Sequence, residues 1–116
     1  MAKKVNKVPF PDWLLRTPCE IRLNTGGVTE DGDREVYKGG IKEKCIYSEA
    51  SKRIYDKDGK TIELVGQVIV KGDIASRLKN VSDGEIIIND KTLMIHSAAR
   101  PRNPDGTVHH TEFQVK

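Results

Sequence analysis

The sequence predicts a mainly β protein, a small β-barrel or sandwich of six to seven short strands with one long loop and at most one short helix. Three observations predict this class. Apolar and polar residues alternate with period two in several runs, turn-forming residues separate those runs, and only one segment has helical spacing. With 116 residues, residues 1–116 are expected to form a single domain.

Composition predicts a thin core and a weakly charged surface. Hydrophobic residues make up 36% and aromatic residues 5% of the chain. The net charge of +3, from 20 basic and 17 acidic residues, gives little steering toward phosphate. This composition fits either a small stable barrel or a subunit that completes its burial in an assembly.

The chain is expected to stay in the cytoplasm of the cell that makes it. No apolar run reaches the roughly 18–20 residues of a membrane helix, and the first fifteen residues do not have the form of a signal peptide. Cys19 and Cys45 are therefore expected to be reduced, buried thiols.

The N-terminal part is predicted to contain an arm, a helical turn and a first strand. Residues 1–8, with three lysines, are expected to be a disordered arm. A helical turn is predicted over residues 12–16, with Asp12 as its N-cap. Its apolar residues 13–15 should cover one end of the core. The alternation in residues 18–25 predicts a half-buried strand.

Residues 25–40 are predicted to be a long, glycine-rich loop, because they hold five glycines and almost no apolar side chains. Loops of this length inside a compact domain are usually functional or disordered. Residues 34–38 are the one part of this segment expected to form a short strand.

The central part of the sequence is predicted to form a hairpin. Residues 41–51 and 54–55 read as strand, residues 56–59 as a turn, and residues 61–71 as the next strand. Gly66, in the middle of that strand, predicts a bulge or bend.

The remaining residues are predicted to contain a connection, a second hairpin and a final strand. Residues 73–85 are the best helix candidate, with a connecting stretch as the alternative. A second hairpin is expected about Asn89 and Asp90, and residues 107–116 form the predicted final strand, after a loop over residues 100–106.

Two apparent metal sites fail on spacing. An EF-hand loop with Gly59 at its sixth position would begin at Ile54 and end at Val65, neither of which is a calcium ligand. His109 and His110, as neighbours on a strand, should point to opposite faces and not chelate together. No nucleophile or phosphate-loop motif is present, so neither an enzyme nor a cofactor is expected. A nucleic-acid-binding barrel remains an alternative, although its aromatic residues are spread out.

The order of parts resembles the small minor capsid, or head-closure, proteins of tailed phages of Gram-positive bacteria. The resemblance covers residues 9–115. It rests on "LLRT" before the first strand, on the "KRIYDKDGKTI" hairpin, and on a strand over residues 93–98. That strand leads through "PDG" to a histidine-bearing last strand over residues 108–115.

The resemblance implies a virion protein of the head-to-tail connector. Such subunits form a ring, twelve-fold in the virion, beneath the portal, where they retain packaged DNA and offer a docking surface to the tail. The implied partners are the portal or adaptor ring, the tail or tail-completion protein, further copies of the chain and packaged DNA, and no membrane is implied. A tail-side completion or terminator protein is the neighbouring alternative.

Carried over to this chain, the resemblance suggests two interface segments. The long loop is expected to be the interface or channel-facing element, with Val36 and Tyr37 as anchors. The final strand is expected to pair with a neighbouring subunit through free backbone groups. The residues are Gly26, Gly27, Asp31, Gly32, Val36, Tyr37, Gly39 and Gly40 in the loop, and Glu112, Phe113, Gln114 and Val115 in the strand.

Overall fold

The computed structural model describes residues 9–76, 78 and 81–116 and confirms the mainly β class, with seven antiparallel strands. Two short 3₁₀ turns, Asp12–Leu14 and Tyr37–Gly39, are its helical elements within that part of the chain. The strands are β1 (Thr17–Val28), β2 (Arg34–Val36), β3 (Ile41–Tyr55), β4 (Thr61–Lys71), β5 (Gly84–Ile88), β6 (Lys91–Ala99) and β7 (His110–Val115).

The sheet returns on itself. Its order is β2-β1-β3-β4-β7-β6-β5, and β1 also pairs with β5. Strand β1 pairs with β3 through Thr17–Ile21 and with β5 through Glu20–Leu23. Six strands therefore close a circuit of ladders, and β2 is attached outside it on the C-terminal half of β1.

The core lies inside this circuit, on alternate residues of the strands. Phe113 is its largest fully buried side chain, and burial of each such side chain contributes roughly 1.5–3 kcal/mol. The other fully buried side chains of large volume are Ile21, Leu23, Cys45, Val68, Val70, Ile86, Ile88, Thr111 and Val115.

One hairpin continues well beyond the closed circuit. Strand β7 pairs with β4 only as far as Gly66, opposite Val115, so the first five residues of β4 have β3 as their only partner strand. Residues 50–65, here called the ribbon, therefore form a two-stranded extension. Strand β3 is longer than the sequence predicted, because it runs unbroken to Tyr55.

The predicted irregularity at Gly66 is confirmed. The register of β3 against β4 shifts between Glu49 and Lys52, which places a bulge at the base of the ribbon. A Cβ atom on Gly66 would lie 2.6 Å from the carbonyl oxygen of Ser48, so the close approach of the strands requires glycine.

Residues 25–40 are not the predicted long loop. Strand β1 continues through the two adjacent glycines to Val28, and Asn24 and Val28 pair with Val36 and Arg34 of β2. The turn is closed by the amide of Thr29, which donates to the carbonyl oxygen of Asp33 at 2.7 Å. Ladder hydrogen bonds do not depend on apolar side chains, so low hydrophobicity did not prevent strand formation. Residues 24–36 are called the acidic hairpin below.

The two hairpins project from opposite ends of the molecule. Strands β1 and β3 are antiparallel, and the C-terminal half of each strand extends beyond the first residue of the other. The molecule measures 57 × 36 × 30 Å, with a radius of gyration of 15.7 Å. A compact chain of this length would have about 13 Å. The projecting hairpins account for this excess.

Two further predictions are wrong. Trp13 does not cover the core: it is 69% exposed, and the 3₁₀ turn has no side-chain cap from Asp12. The candidate helix is absent from the described part of residues 73–85, where Ile74–Ser76 form a turn and Gly84 already belongs to β5. The connecting-stretch alternative fits these residues. Residues 1–8 lie outside the described part of the chain.

Candidate assembly surfaces

The ribbon presents two different faces. Ile54 lies opposite Ile62, and Tyr55 lies opposite Thr61. Successive residues of a strand point to opposite faces, so the isoleucine pair occupies one face and Tyr55 the other. Tyr55 is 73% exposed, so it presents a largely solvent-facing aromatic side chain near the tip.

The tip of the ribbon is held by Asp56, as the sequence predicted. Its Oδ1 accepts hydrogen bonds from the amides of Asp58 at 2.9 Å and Lys60 at 2.8 Å. The carboxylate is therefore engaged by backbone donors and closes the turn. Within the described residues, no group of three or more potential ligands is placed to hold a metal ion.

The ribbon carries mixed charge that its own molecule does not neutralise. Among the described residues, the ion pairs include no ribbon side chain. Its charged residues are Lys52, Arg53, Lys57 and Lys60 on the basic side, and Asp56, Asp58 and Glu63 on the acidic side. Apart from Asp56, whose carboxylate closes the turn, these charged groups are available to a partner of either charge.

The acidic hairpin projects at the other end. Val28 is 66% exposed beside its turn. At its base, Asn24 Nδ2 donates to Asp83 Oδ1 at 3.1 Å, and Arg34 Nη1 lies 3.8 Å from the same oxygen. The acidic side chains that give the hairpin its name are Glu30, Asp31, Asp33 and Glu35, and all four are exposed.

The eight predicted loop residues occupy this hairpin and the connection that follows it. Gly26 and Gly27 are in β1, Asp31 and Gly32 are in the turn, Gly39 ends the second 3₁₀ turn, and Gly40 follows it. The proposed anchors Val36 and Tyr37 are half-buried, and Tyr37 packs against the hydrophobic core.

Sequence reasoning missed Val28 and Tyr55, which are the exposed apolar side chains near the two tips. The sequence placed Tyr55 at the end of a strand directly before the turn over residues 56–59, but Tyr55 was not among the predicted interface residues. Val28 could not be placed in this way, since its segment was read as loop.

The predicted free edge in the C-terminal strand is wrong for this chain. Strand β7 pairs with β4 on one side and with β6 on the other. Phe113 and Val115 are fully buried in the core, and Glu112 and Gln114 point outward between two ladders. A neighbouring subunit would find no unpaired backbone along Glu112–Val115.

The two adjacent histidines are brought together, against expectation. Strand β7 begins at His110, so His109 lies outside the strand. Its side chain therefore need not point to the face opposite that of His110, and its ring contacts the His110 ring. The two Nδ1 atoms are 2.6 Å apart, and the rings meet edge to face with centroids 4.9 Å apart.

The two cysteines are free, buried and close together. A hydrogen bond with the Cys45 thiol, together with burial, raises the pKa of Cys19 far above its ordinary value. The same hydrogen bond lowers the pKa of Cys45. The pair belongs to the core cluster, which agrees with the expected buried thiols.

No helix in the described part of the chain has the length and apolarity needed to cross a membrane. A scan against protein-family models finds no family that matches the chain, and a search of curated proteins finds no match.

Proposed function

We propose that this protein is a structural ring subunit of the head-to-tail connector of a tailed phage, positioned beneath the portal to close the DNA-filled head. The observation that carries the proposal is the pair of hairpins that project from opposite ends of one small closed sheet. Each ends near an exposed apolar side chain, Tyr55 or Val28. The sequence resemblance to head-closure proteins points in the same direction.

Energetics favour an assembled state. A two-stranded hairpin is at best marginally stable by itself in water, and the buried side chain of the ribbon, Leu64, lies outside the core cluster. Ordering backbone costs roughly 1–2 kcal/mol per residue. Contact with a partner would offset that cost by burying Tyr55 and the isoleucine face.

Opposed hairpins suit a subunit that contacts different molecules at its two ends. A ring requires heterologous contacts, in which one surface of a subunit meets a different surface of its neighbour. The chain offers such unlike surfaces, an acidic hairpin and a ribbon of mixed charge. We assign these surfaces to neighbouring copies, to the portal or adaptor ring, and to the tail or tail-completion protein.

The proposal is tested by co-sedimentation with DNA-filled phage heads that lack this protein, with bound copies counted per head. We expect a fixed stoichiometry, about twelve if the ring follows the portal, and retained DNA. Purified tails are the matched control. Binding to tails and not to heads would place the protein on the tail side of the joint, and binding to neither would overturn the connector proposal.

A nucleic-acid-binding barrel is the second candidate, favoured by one observation. Tyr55 is exposed on a ribbon that also carries four basic side chains, and aromatic–base stacking beside basic residues is how proteins bind single strands. A titration with single-stranded and double-stranded DNA between low and physiological salt decides the case. Binding that falls steeply with salt would support this candidate.

A further inference from the structure

A continuous chain of hydrogen bonds joins the N-terminal segment to the start of β7. The carbonyl oxygen of Pro9 lies 3.3 Å from Nε2 of His109, and His110 Nε2 lies 2.7 Å from Oε1 of Glu112. The Nδ1–Nδ1 contact of 2.6 Å between the histidines links the two ends. Phe10 packs on both rings, with centroids 5.5 Å and 6.1 Å away.

This chain needs one proton more than its neutral members possess. A carbonyl oxygen and a carboxylate can only accept hydrogen bonds, so both ends of the chain are acceptors. Three contacts between four groups then require three protons, and two neutral imidazoles supply two. The set is complete only when a third proton is bound, on an imidazole or at the contact between His110 and Glu112.

Among the residues that the structure describes, the neighbouring charged side chains are engaged with other groups. Lys71 lies opposite His110 in the ladder, but its Nζ is 2.8 Å from Oδ1 of Asp12. The opposite partners of Glu112 are the uncharged Ile69 on β4 and Ala99 on β6.

The nearby arginines point elsewhere. Arg100 donates to the carbonyl oxygens of Ala75 and Leu78, and Arg102 donates to that of Gly106.

We propose that these residues form a proton-operated clasp, which fastens the segment at Pro9 and Phe10 to β7 while the third proton is bound. Without that proton, two lone pairs would face each other at the contact between the histidines. The His110 side chain is 17% exposed, so water has limited access to relieve the conflict. The clasp opens at Pro9, where its contact is longest.

The sign of the pH dependence follows from the proton count. The clasp is closed while the third proton is bound, and it opens when a rise in pH removes that proton. Because Phe10 packs on both rings, it leaves with Pro9. The proposal is independent of the connector function.

Trp13 provides the measurement, because it is the only tryptophan in the sequence and lies three residues after Phe10. We expect its fluorescence anisotropy to fall in a single one-proton transition as the pH is raised across the range in which the protein stays folded. His109→Ala should give the low value throughout. His96→Asn, which changes the histidine outside the clasp, should titrate like the native protein.

Glu112→Gln is the decisive variant. The glutamine amide can donate to His110 Nε2, so the chain is complete with two neutral histidines, and the anisotropy should stay high across the range. A flat native curve would overturn the proposal, as would a Glu112→Gln variant that still titrates. Circular dichroism on each variant separates release of the segment from loss of fold.

Discussion

At the scale of single residues, backbone proximity at Gly84 decides whether β1 and β5 can pair. A Cβ atom at Gly84 would lie 2.2 Å from the carbonyl oxygen of Arg22. That oxygen is backbone of the neighbouring strand, so it cannot move without separating the ladder that closes the sheet. Because Gly84 also has a φ of +157°, this crowding adds to backbone strain, whereas at an open turn the backbone angle alone requires glycine.

We therefore predict that Gly84→Ala lowers the free energy of unfolding by more than ~2 kcal/mol, at the upper part of the range for overpacking. Gly106→Ala is the matched control, because Gly106 has a φ of +89° and nothing within 4 Å of its added Cβ. It should cost about 1 kcal/mol of backbone strain. Urea unfolding measures both, and equal losses would contradict the crowding argument.

Substitution of Asp56 should change hydrogen exchange only near the tip of the ribbon. Its carboxylate closes the turn at the end of the ribbon, away from the core. Asp56→Ala should speed amide hydrogen exchange in residues 54–62 about fivefold or more, as expected for the loss of roughly 1 kcal/mol of hydrogen bonding. Amides of β7 should keep their protection. Asp58→Ala is the control, and similar exchange in both variants would argue against the role of Asp56.

At the scale of elements, the sequence predicted those strands whose alternation is bounded by turn residues. The limits of β4 agree with the prediction, and the second hairpin turns at Asn89 and Asp90, whose φ angles of 51° and 64° suit a tight hairpin turn. In the acidic hairpin only the short second strand was predicted, within residues 34–38; the extension of β1 to Val28 was missed because these residues have no apolar face. Which strands close the sheet depends on long-range pairing, which alternation does not encode.

The candidate surfaces were only partly predictable for the same reason. Residues 25–40 were expected to contain an interface, and they do project, but the proposed anchor Tyr37 packs on the core. The free edge expected at Glu112–Val115 is occupied on both sides. A terminal position in the sequence does not make a strand an edge strand, because the sheet order is set by all the pairings together.

The ribbon is predicted to be dispensable for folding. A variant in which residues 51–64 are replaced by a two-residue Asn-Gly turn should keep the native β-rich circular dichroism spectrum, because every strand of the closed circuit retains its neighbours. We expect its melting temperature to fall by no more than about 5 °C, which corresponds to roughly 1 kcal/mol. Replacement of residues 29–33 by the same turn, at the other end of the molecule, is the control. Unfolding of the ribbon variant alone would show that the ribbon supports the core.

At the scale of the whole molecule, the elongation and the two unlike ends are the properties that an assembly would use. Small-angle scattering of the native monomer should give a radius of gyration near the 15.7 Å of the structure, and the ribbon variant should move toward the compact value of about 13 Å. The ribbon variant also tests the proposed function, since its fold is expected to persist while its binding to phage heads is lost.

The salt dependence of binding to phage heads distinguishes assembly of this protein from nucleic-acid binding. Burial of Tyr55 and the isoleucine face is an apolar contribution, which salt screening leaves largely intact. Binding to heads should therefore weaken less than about tenfold between 50 and 200 mM salt, whereas a protein making six or more phosphate contacts would lose roughly 10³-fold or more. Tyr55→Ser should reduce head binding at both salt concentrations, with Thr61→Ser on the same face of the ribbon as the control. A steep salt dependence that Tyr55→Ser leaves unchanged would instead assign the binding to the charged side chains.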